Sequence, residues 1–406
     1  MAQHIAVIGG GAAGLTAAVA LAQGGKTVTV WEKAPRVGRK LIATGNGTCN
    51  ITNRDLALSH YHGADPAFAL SALEAFTDRD TVAFFGSIGV DCVTDPDGRV
   101  YPRSRQAGSV LDCLRLALQA AGGTVVTGRT VGAIHPQKGG FSLAVGDERA
   151  TADAVIVAVG GAAAPSLGGG VDGYALLTAL GHTRTPLFAS IVQLRTDTAF
   201  VKAIKGIRVD AAVTLEGNGQ TATARGEVLF TEYGLSGPAV MAISRLAGDW
   251  ERRKRGDMTA RLDLLPDLSK EDLTAILRRR RALPGRDGGS FLTGFLNTRV
   301  GQTAVRMAGL SLSAPAGGLT DGDLKRIAGA IKNWRLPVTG TQGFSGAQVT
   351  AGGIATADFD PRTMRSRLVP GVYAVGEVLD IDGDCGGYNL QWAFSSAMAA
   401  ARDLLK

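Results

Sequence analysis

The chain has 406 residues, 45 % of them hydrophobic, and its 43 Lys and Arg against 36 Asp and Glu give a formal charge of +7. That length predicts two or three domains with ample core, and because Gly or charge interrupts every long apolar run, neither a membrane span nor a signal peptide is expected. The four widely spaced cysteines (Cys49, Cys92, Cys113, Cys385), with no CxxC and no metal-type spacing to the five histidines, predict reduced thiols, no metal centre and a cytoplasmic protein.

Residues 4–32 read as a strand, a glycine turn, a helix, a second strand and a terminal acid. Gly9, Gly11 and Gly14 match G-x-G-x-x-G, and the helix-forming run 15–21 follows. Gly9 permits the tight turn, Gly11 lets backbone approach a pyrophosphate, and Gly14 lets the helix pack closely on the strand. The helix start, at Ala12 and Ala13, then presents free N–H groups and a positive dipole end to phosphates. Strand 26–31 delivers Glu32 at the offset of a ribose-binding acid, which favours two free ribose hydroxyls and repels a 2′-phosphate. The segment therefore predicts a dinucleotide site for FAD or NAD rather than NADP.

Segment 38–53, GRKLIATGNGTCNITN, stands where a simple NAD domain starts its next helix, and its cations and flexible backbone suit a long, doubly charged ligand across the strand ends. Helices are predicted at 65–88 and 108–121, a strand at 123–131, and a hairpin-like pair at 141–145 and 149–152. Residues 153–161 form an apolar strand ending in glycines, as a buried parallel strand does where its carboxyl end meets a ligand. Alternation in 186–245 suggests a small antiparallel sheet or barrel. Residues 266–334 read as mostly helical, and 369–378 and 390–405 supply a further buried strand and a closing helix. The basic runs 252–255 and 278–281 read as solvated faces, with a patch for RNA or another anionic partner as the alternative.

The C-terminal segment complements the opening one. A strand ending in Gly376 and Glu377 places a carboxylate where it can accept hydrogen bonds from sugar or ribityl hydroxyls. Gly386 and Gly387 open a helix whose N-terminal amides can point at a flavin pyrimidine carbonyl and stabilise the negative charge that builds there on reduction. Two such loops in one chain select FAD over NAD.

Five segments carry a resemblance: GRKLIATGNGTCNITN, GRVYPRS at 98–104, GEVLFTEYGLSGPA at 226–239, VTGTQGFSGAQVTAGG at 338–353 and GEVLDIDGDCGGYNLQWAFSS at 376–396. Together they resemble a bacterial FAD-binding flavoprotein family that includes aminoacetone oxidase and the bile-acid-inducible flavoprotein, over essentially the whole chain. The resemblance implies an α/β and α+β multidomain fold. It comprises a discontinuous Rossmann-type FAD-binding domain (1–186 and 349–406), an inserted β-barrel substrate domain (187–262 and 312–348) and a small helical domain (263–311). It places FAD contacts at Gly9, Gly11, Ala12, Ala13, Gly14, Glu32, Lys33, Arg39, Lys40, Thr44, Gly45, Asn46, Val131, Gly160, Gly376, Glu377, Asp380, Asn389, Leu390 and Gln391. Thr48 departs from a common Arg and Glu232 from a common His or Asp, and the second departure leaves the substrate open.

No second G-x-G-x-x-G follows a strand, so no dedicated NAD(P)H domain is expected. The reading is an FAD-dependent oxidoreductase acting on a small organic substrate by flavin hydride transfer. It either oxidises an aminoketone or amine, or reduces an unsaturated ketone with NAD(P)H as a transient donor. The alternatives are an FAD-bearing protein that partners RNA through the basic middle region, and a NAD-bound dehydrogenase. Glu232, Tyr233 and Tyr388 are the substrate-binding candidates, and no catalytic base is assigned. His60 and His62 follow the flavin loop but read as exposed loop residues; His4, His135 and His182 read as structural or exposed.

Overall fold

Four consecutive buried residues in strand His4–Ile8 leave it no polar face, as expected of a strand covered on both sides. It lies at the middle of a five-stranded sheet in the order Val372–Ala374, Ala154–Val157, His4–Ile8, Thr27–Glu32, Thr124–Thr127, and every pairing is parallel. Helix Ala12–Gln23, rich in alanine and almost wholly buried, packs against the closing helix Tyr388–Leu404. The computed structural model describes residues 3–217, 219–254 and 256–406. The chain divides into two units, one of Met1–Phe188 with Gln348–Lys406 and one of Ala189–Ala347.

In the first unit, three elements differ from their sequence-predicted extent. The span 65–88 holds two helices, Leu70–Ala75 and Asp78–Ser87, because Thr77 starts a new one with a capping box. The Asp80 carboxylate accepts the Thr77 amide at 2.8 Å and the Thr77 hydroxyl accepts the Asp80 amide. The expected strand 123–131 is interrupted at Gly128, whose φ of +68° turns the chain. Thr124–Thr127 joins the parallel sheet, while Val131–Gln137 begins a separate antiparallel sheet with Gly140–Val145 and Glu148–Ala152. Residues 369–378 contain only a three-residue strand, followed by the turn Gly376–Val378.

The second unit contains a closed antiparallel barrel in the order Leu194–Thr196, Gly234–Ser236, Gln220–Phe230, Arg208–Gly217, Met258–Asp263, Trp334–Thr341. Its core includes Phe230 stacked on Trp334 at 5.3 Å and is continuous with the buried faces of helices Lys270–Arg281, Thr298–Met307 and Asp321–Lys332.

The arginine run at the end of helix Lys270–Arg281 is favourably placed against the negative end of the dipole. Three of its four members are committed inside the unit. Arg278 and Arg281 pair with Asp321, and Arg280 donates to the carbonyls of Phe291 and Thr293. Arg279 is exposed. In the other basic run, Arg252 and Arg253 both hold Asp249, and Arg255 lies outside the described residues.

Candidate functional site

The three glycines of the opening turn meet three different surroundings. Gly9 has φ +108°, and a Cβ there would run into the Ala158 carbonyl; a Cβ on Gly14 would run into the Gly9 carbonyl oxygen. At Gly11 a Cβ would meet nothing within 4 Å. Two glycines thus serve the fold, and the third faces open space at the start of helix Ala12–Gln23, which no side chain caps. That is the shape a phosphate group needs at a helix N-terminus. Glu32, at the end of the second strand, accepts the amides of Gly10 and Ala34, both at 2.8 Å, and so ties the turn to the neighbouring strand.

A second knot joins the ends of strands Ala154–Val157 and Val372–Ala374. Lys40 Nζ lies 2.6 Å from one Glu377 oxygen, and the other accepts the Thr350 amide at 2.8 Å. The Thr350 hydroxyl accepts the Ala163 amide at 2.8 Å, an approach that a Cβ on Gly161 would block. Gly160 and Gly376 take left-handed φ values of +72° and +74°. Beside this knot Arg39 donates to the Ser166 carbonyl at 2.6 Å, and exposed Lys33 faces Gly170. Thr44 donates to the Leu41 carbonyl, after which Gly45 and Asn46 turn left-handed and exposed. Val131 is buried, and buried Asp380 accepts the Ala64 amide. All four cysteines are free, and burial pushes the Cys49 thiol up to about 12, so it stays protonated.

The closing helix starts at Gly387, with φ +101° and no side-chain cap; a Cβ there would stand 2.7 Å from the Thr52 carbonyl. Asn389 secures the preceding turn, accepting the Gly383 amide and donating to its carbonyl. Gln391 turns into the core: its Oε1 accepts from Thr52 and Thr81, and its Nε2 donates to Phe76 and Ser395. Its side chain is fully employed in the fold, which leaves the amides of the first turn, Leu390 included, as the groups that can face a ligand. The buried Asn50 Oδ1, beside Gly387, has no hydrogen-bond partner among the described residues. An orphaned acceptor beside an uncapped helix start suits a ligand that both donates and accepts, as a flavin pyrimidine does.

The same corner carries a cluster that no local pattern announces. Asp384 bridges two imidazoles, with His62 Nε2 at 2.7 Å and His60 Nδ1 at 3.0 Å, and His60 Nε2 lies 3.3 Å from Asp55. Tyr388, buried, stacks on His60 at 4.3 Å. Both histidines are half-buried, unlike the expected exposed loop residues. More than three hundred residues separate them from Asp384, and the pairing of Tyr61–His62 with Asp382–Gly383, extended by the Asp384 amide donating to the His60 carbonyl at 2.9 Å, brings them together. The other substrate candidates belong to the second unit. Glu232 pairs with Lys205 on the surface, and Tyr233 sits in the turn before Gly234.

The family model described as HI0933-like protein Rossmann domain matches residues 3–403. The chain is 38 % identical over 406 residues to the 3-dehydro-bile acid delta(4,6)-reductase of Clostridium scindens, covering 98 % of each chain. It is 31 % identical over 402 residues to the ribosomal RNA dihydrouridine synthase of Escherichia coli, covering 98 % of this chain and 97 % of that one. Among solved structures, the 3-ketosteroid delta1-dehydrogenase of Sterolibacterium denitrificans shares the fold, with a TM-score of 0.52 at 12 % identity over 99 % of both chains. The glycine turn, the discontinuous parallel sheet and the full-length match together establish that the chain belongs to the HI0933-like Rossmann-domain family and is an FAD-dependent oxidoreductase.

Proposed function

We propose that the protein reduces a carbon–carbon double bond conjugated to a carbonyl in a small organic substrate, with a dihydronicotinamide as the transient donor of electrons. The observation that carries this is chemical. A delta(4,6) reduction of a 3-dehydro-bile acid and the conversion of uridine to dihydrouridine both saturate a C=C bond in conjugation with a C=O, and this chain aligns end to end with relatives bearing each name.

FAD, when bound and reduced, supplies the hydride for the β-carbon. The chain's own residues supply the rest. The uncapped start of helix Ala12–Gln23, with the open space at Gly11, would hold the pyrophosphate, and Glu32 would bind the adenosine ribose. Lys33 and Arg39 would supply positive charge beside loop 166–170, Lys40 would act paired with Glu377, and Thr44, Gly45, Asn46, Gly160, Gly376 and Asp380 would line the rest of the site. Val131 would lie at the nucleotide end, and the amides of Asn389 and Leu390 with Asn50 Oδ1 would hold the flavin pyrimidine.

A second reading, action on a uracil base within ribosomal RNA, draws on the dihydrouridine synthase relatives. It gains little from the basic run at 278–281, since three of those arginines are held by partners within their own unit.

The test is anaerobic. Purified protein is reduced with NADH or NADPH, and reoxidation is followed with an enone steroid, a uridine-containing rRNA fragment and an aminoketone. Reoxidation by the enone supports the proposal, reoxidation by RNA alone favours the second reading, and flavin reduction by the aminoketone without a nicotinamide would replace both with an oxidase.

A further inference from the structure

We propose that His62 delivers the proton that completes reduction of the double bond, with Asp384 and His60 as its positioning residues; this rests on the conjugated-carbonyl reading above. His62 presents Nε2 to Asp384 at 2.7 Å, while among the described residues nothing hydrogen-bonds its Nδ1, and the side chain is 30 % exposed. An imidazole with one nitrogen fixed by a carboxylate and the other free is built for proton transfer, because the carboxylate sets both ring orientation and tautomer.

A purely structural role explains less. The backbone pairing of His62 with Asp382 and of Tyr61 with Gly383 already joins the two strands. The second imidazole would be superfluous for holding them. Its presence has a chemical effect: His60 sits on the other Asp384 oxygen, backed by Asp55, and lies flat on Tyr388. With His60 on its second oxygen, the Asp384 carboxylate is fixed in place against His62 Nε2 and cannot swing away from it. Ionisable groups around the cluster include buried Asp382, paired directly opposite His62, together with Tyr61, Cys385, and Arg99 and Asp97 on the adjacent hairpin. Burial opposes ionisation of Asp384, but hydrogen bonds from His62 and His60 outweigh it and hold the carboxyl below its usual range. Burial likewise opposes a charged His60, yet Asp384 and Asp55 together raise it above the usual histidine value.

The cluster also stands at the right place. Asp384 immediately precedes Cys385 and the Gly386–Gly387 turn, and Asn389 donates to its carbonyl at 3.2 Å, so it adjoins the uncapped helix start and the orphaned Asn50 oxygen. In the step, the Nδ1–H bond of the His62 imidazolium breaks with its electron pair staying on the ring. A C–H bond forms at the α-carbon as hydride from the reduced flavin reaches the β-carbon. Water recharges His62, and the dihydronicotinamide restores the reductant.

The experiment uses reduced holoenzyme mixed anaerobically with a 4-en-3-one steroid and, separately, with a uridine-containing RNA. His62→Gln is expected to slow reoxidation about 10²- to 10⁴-fold, with FAD affinity, flavin spectrum and the rate of reduction by NADH unchanged. Added imidazole is expected to restore part of the rate in His62→Ala, and Asp384→Asn to lower the His60 titration followed by NMR without any substrate. Unchanged reoxidation in His62→Gln, or no imidazole rescue in a folded, FAD-loaded His62→Ala, overturns the proton role while leaving the function reading intact. Failure of the wild type to be reoxidised by either substrate overturns the function reading, and the proton role with it.

Discussion

Replacing each glycine of the opening turn by alanine separates what the fold requires from what the cofactor requires. Gly11 is the N-cap of its helix with φ −84° and ψ −168°, a conformation open to any L-residue, and its Cβ would find no atom within 4 Å. Gly11→Ala therefore changes apoprotein stability by only about 1 kcal/mol, a weaker cap against a stiffer unfolded chain, or about 2–4 °C in Tm for a unit of this size. The same methyl would stand in the space proposed for the pyrophosphate. Losing one charge-assisted hydrogen bond costs about 1.5–3 kcal/mol, so FAD binding weakens about 10- to 100-fold. Gly14→Ala behaves in the opposite way, since its Cβ would overlap the Gly9 carbonyl oxygen closer than the 3.0 Å that such contacts keep. Backbone must then move, at a cost of about 1–3 kcal/mol or more in the apoprotein. FAD titration by fluorescence quenching and apoprotein melting, run side by side, decide the matter. Wild-type FAD affinity in Gly11→Ala, or wild-type apoprotein stability in Gly14→Ala, would refute this division of labour.

Glu32→Ala strips the acceptor from the Gly10 and Ala34 amides and is expected to destabilise the apoprotein by about 1–3 kcal/mol in urea melts, in addition to weakening FAD; an effect on FAD alone would show that the carboxylate does not tie the turn. Arg280→Ala leaves the Phe291 carbonyl without its donor and the Thr293 carbonyl with only a long one from Arg286, and is expected to cost about 1–3 kcal/mol, whereas Arg279→Ala stays within about 0.5 kcal/mol. Equal melting curves for the two variants would reject the internal role of the run. Burial keeps His182 below the ordinary histidine value near 6.5, with Nδ1 against the Leu177 carbonyl and Nε2 against Ser366. Its contribution is therefore fully present above pH 6.5 and is lost as pH falls through the folded value. The stability gap between wild type and His182→Gln should narrow between pH 7 and pH 5, and a gap that widens would reverse the assignment.

What the sequence made legible was what is local. The glycine turn, the acid at Glu32 and the apolar strands at 5–8 and 154–157 are each encoded within about thirty residues, and the structure places them in one parallel sheet. The barrel showed through its alternating segments at 211–215 and 227–230. Misplaced boundaries trace to single residues: the capping box at Thr77 cut one expected helix in two, and left-handed Gly128 ended a strand. Side-chain direction was not legible. Gln391 sits in a loop motif that suggests ligand contact, yet its amide lies in the core. Arg280 sits in a run that suggests a solvated face, yet it donates to two carbonyls of the following loop. The His62–Asp384 pair depends on two two-residue strands meeting across the chain, which no periodicity foretells.

The discontinuity of the first unit sets an order of events during synthesis. Residues 189–347 are contiguous, so the barrel and its helices can assemble once they have left the ribosome. The parallel sheet cannot, because its edge strand Val372–Ala374 and the helix that buries Ala12–Gln23 are made last. Until then strand 154–157 lacks its neighbour 372–374 and helix Ala12–Gln23 lacks its closing partner, and the chain must be protected for the time needed to make some two hundred further residues, about 10–40 s. FAD capture is consequently expected to be the final act of maturation. Any premature stop in the last sixty residues is expected to yield a folded barrel attached to an aggregation-prone, colourless remainder.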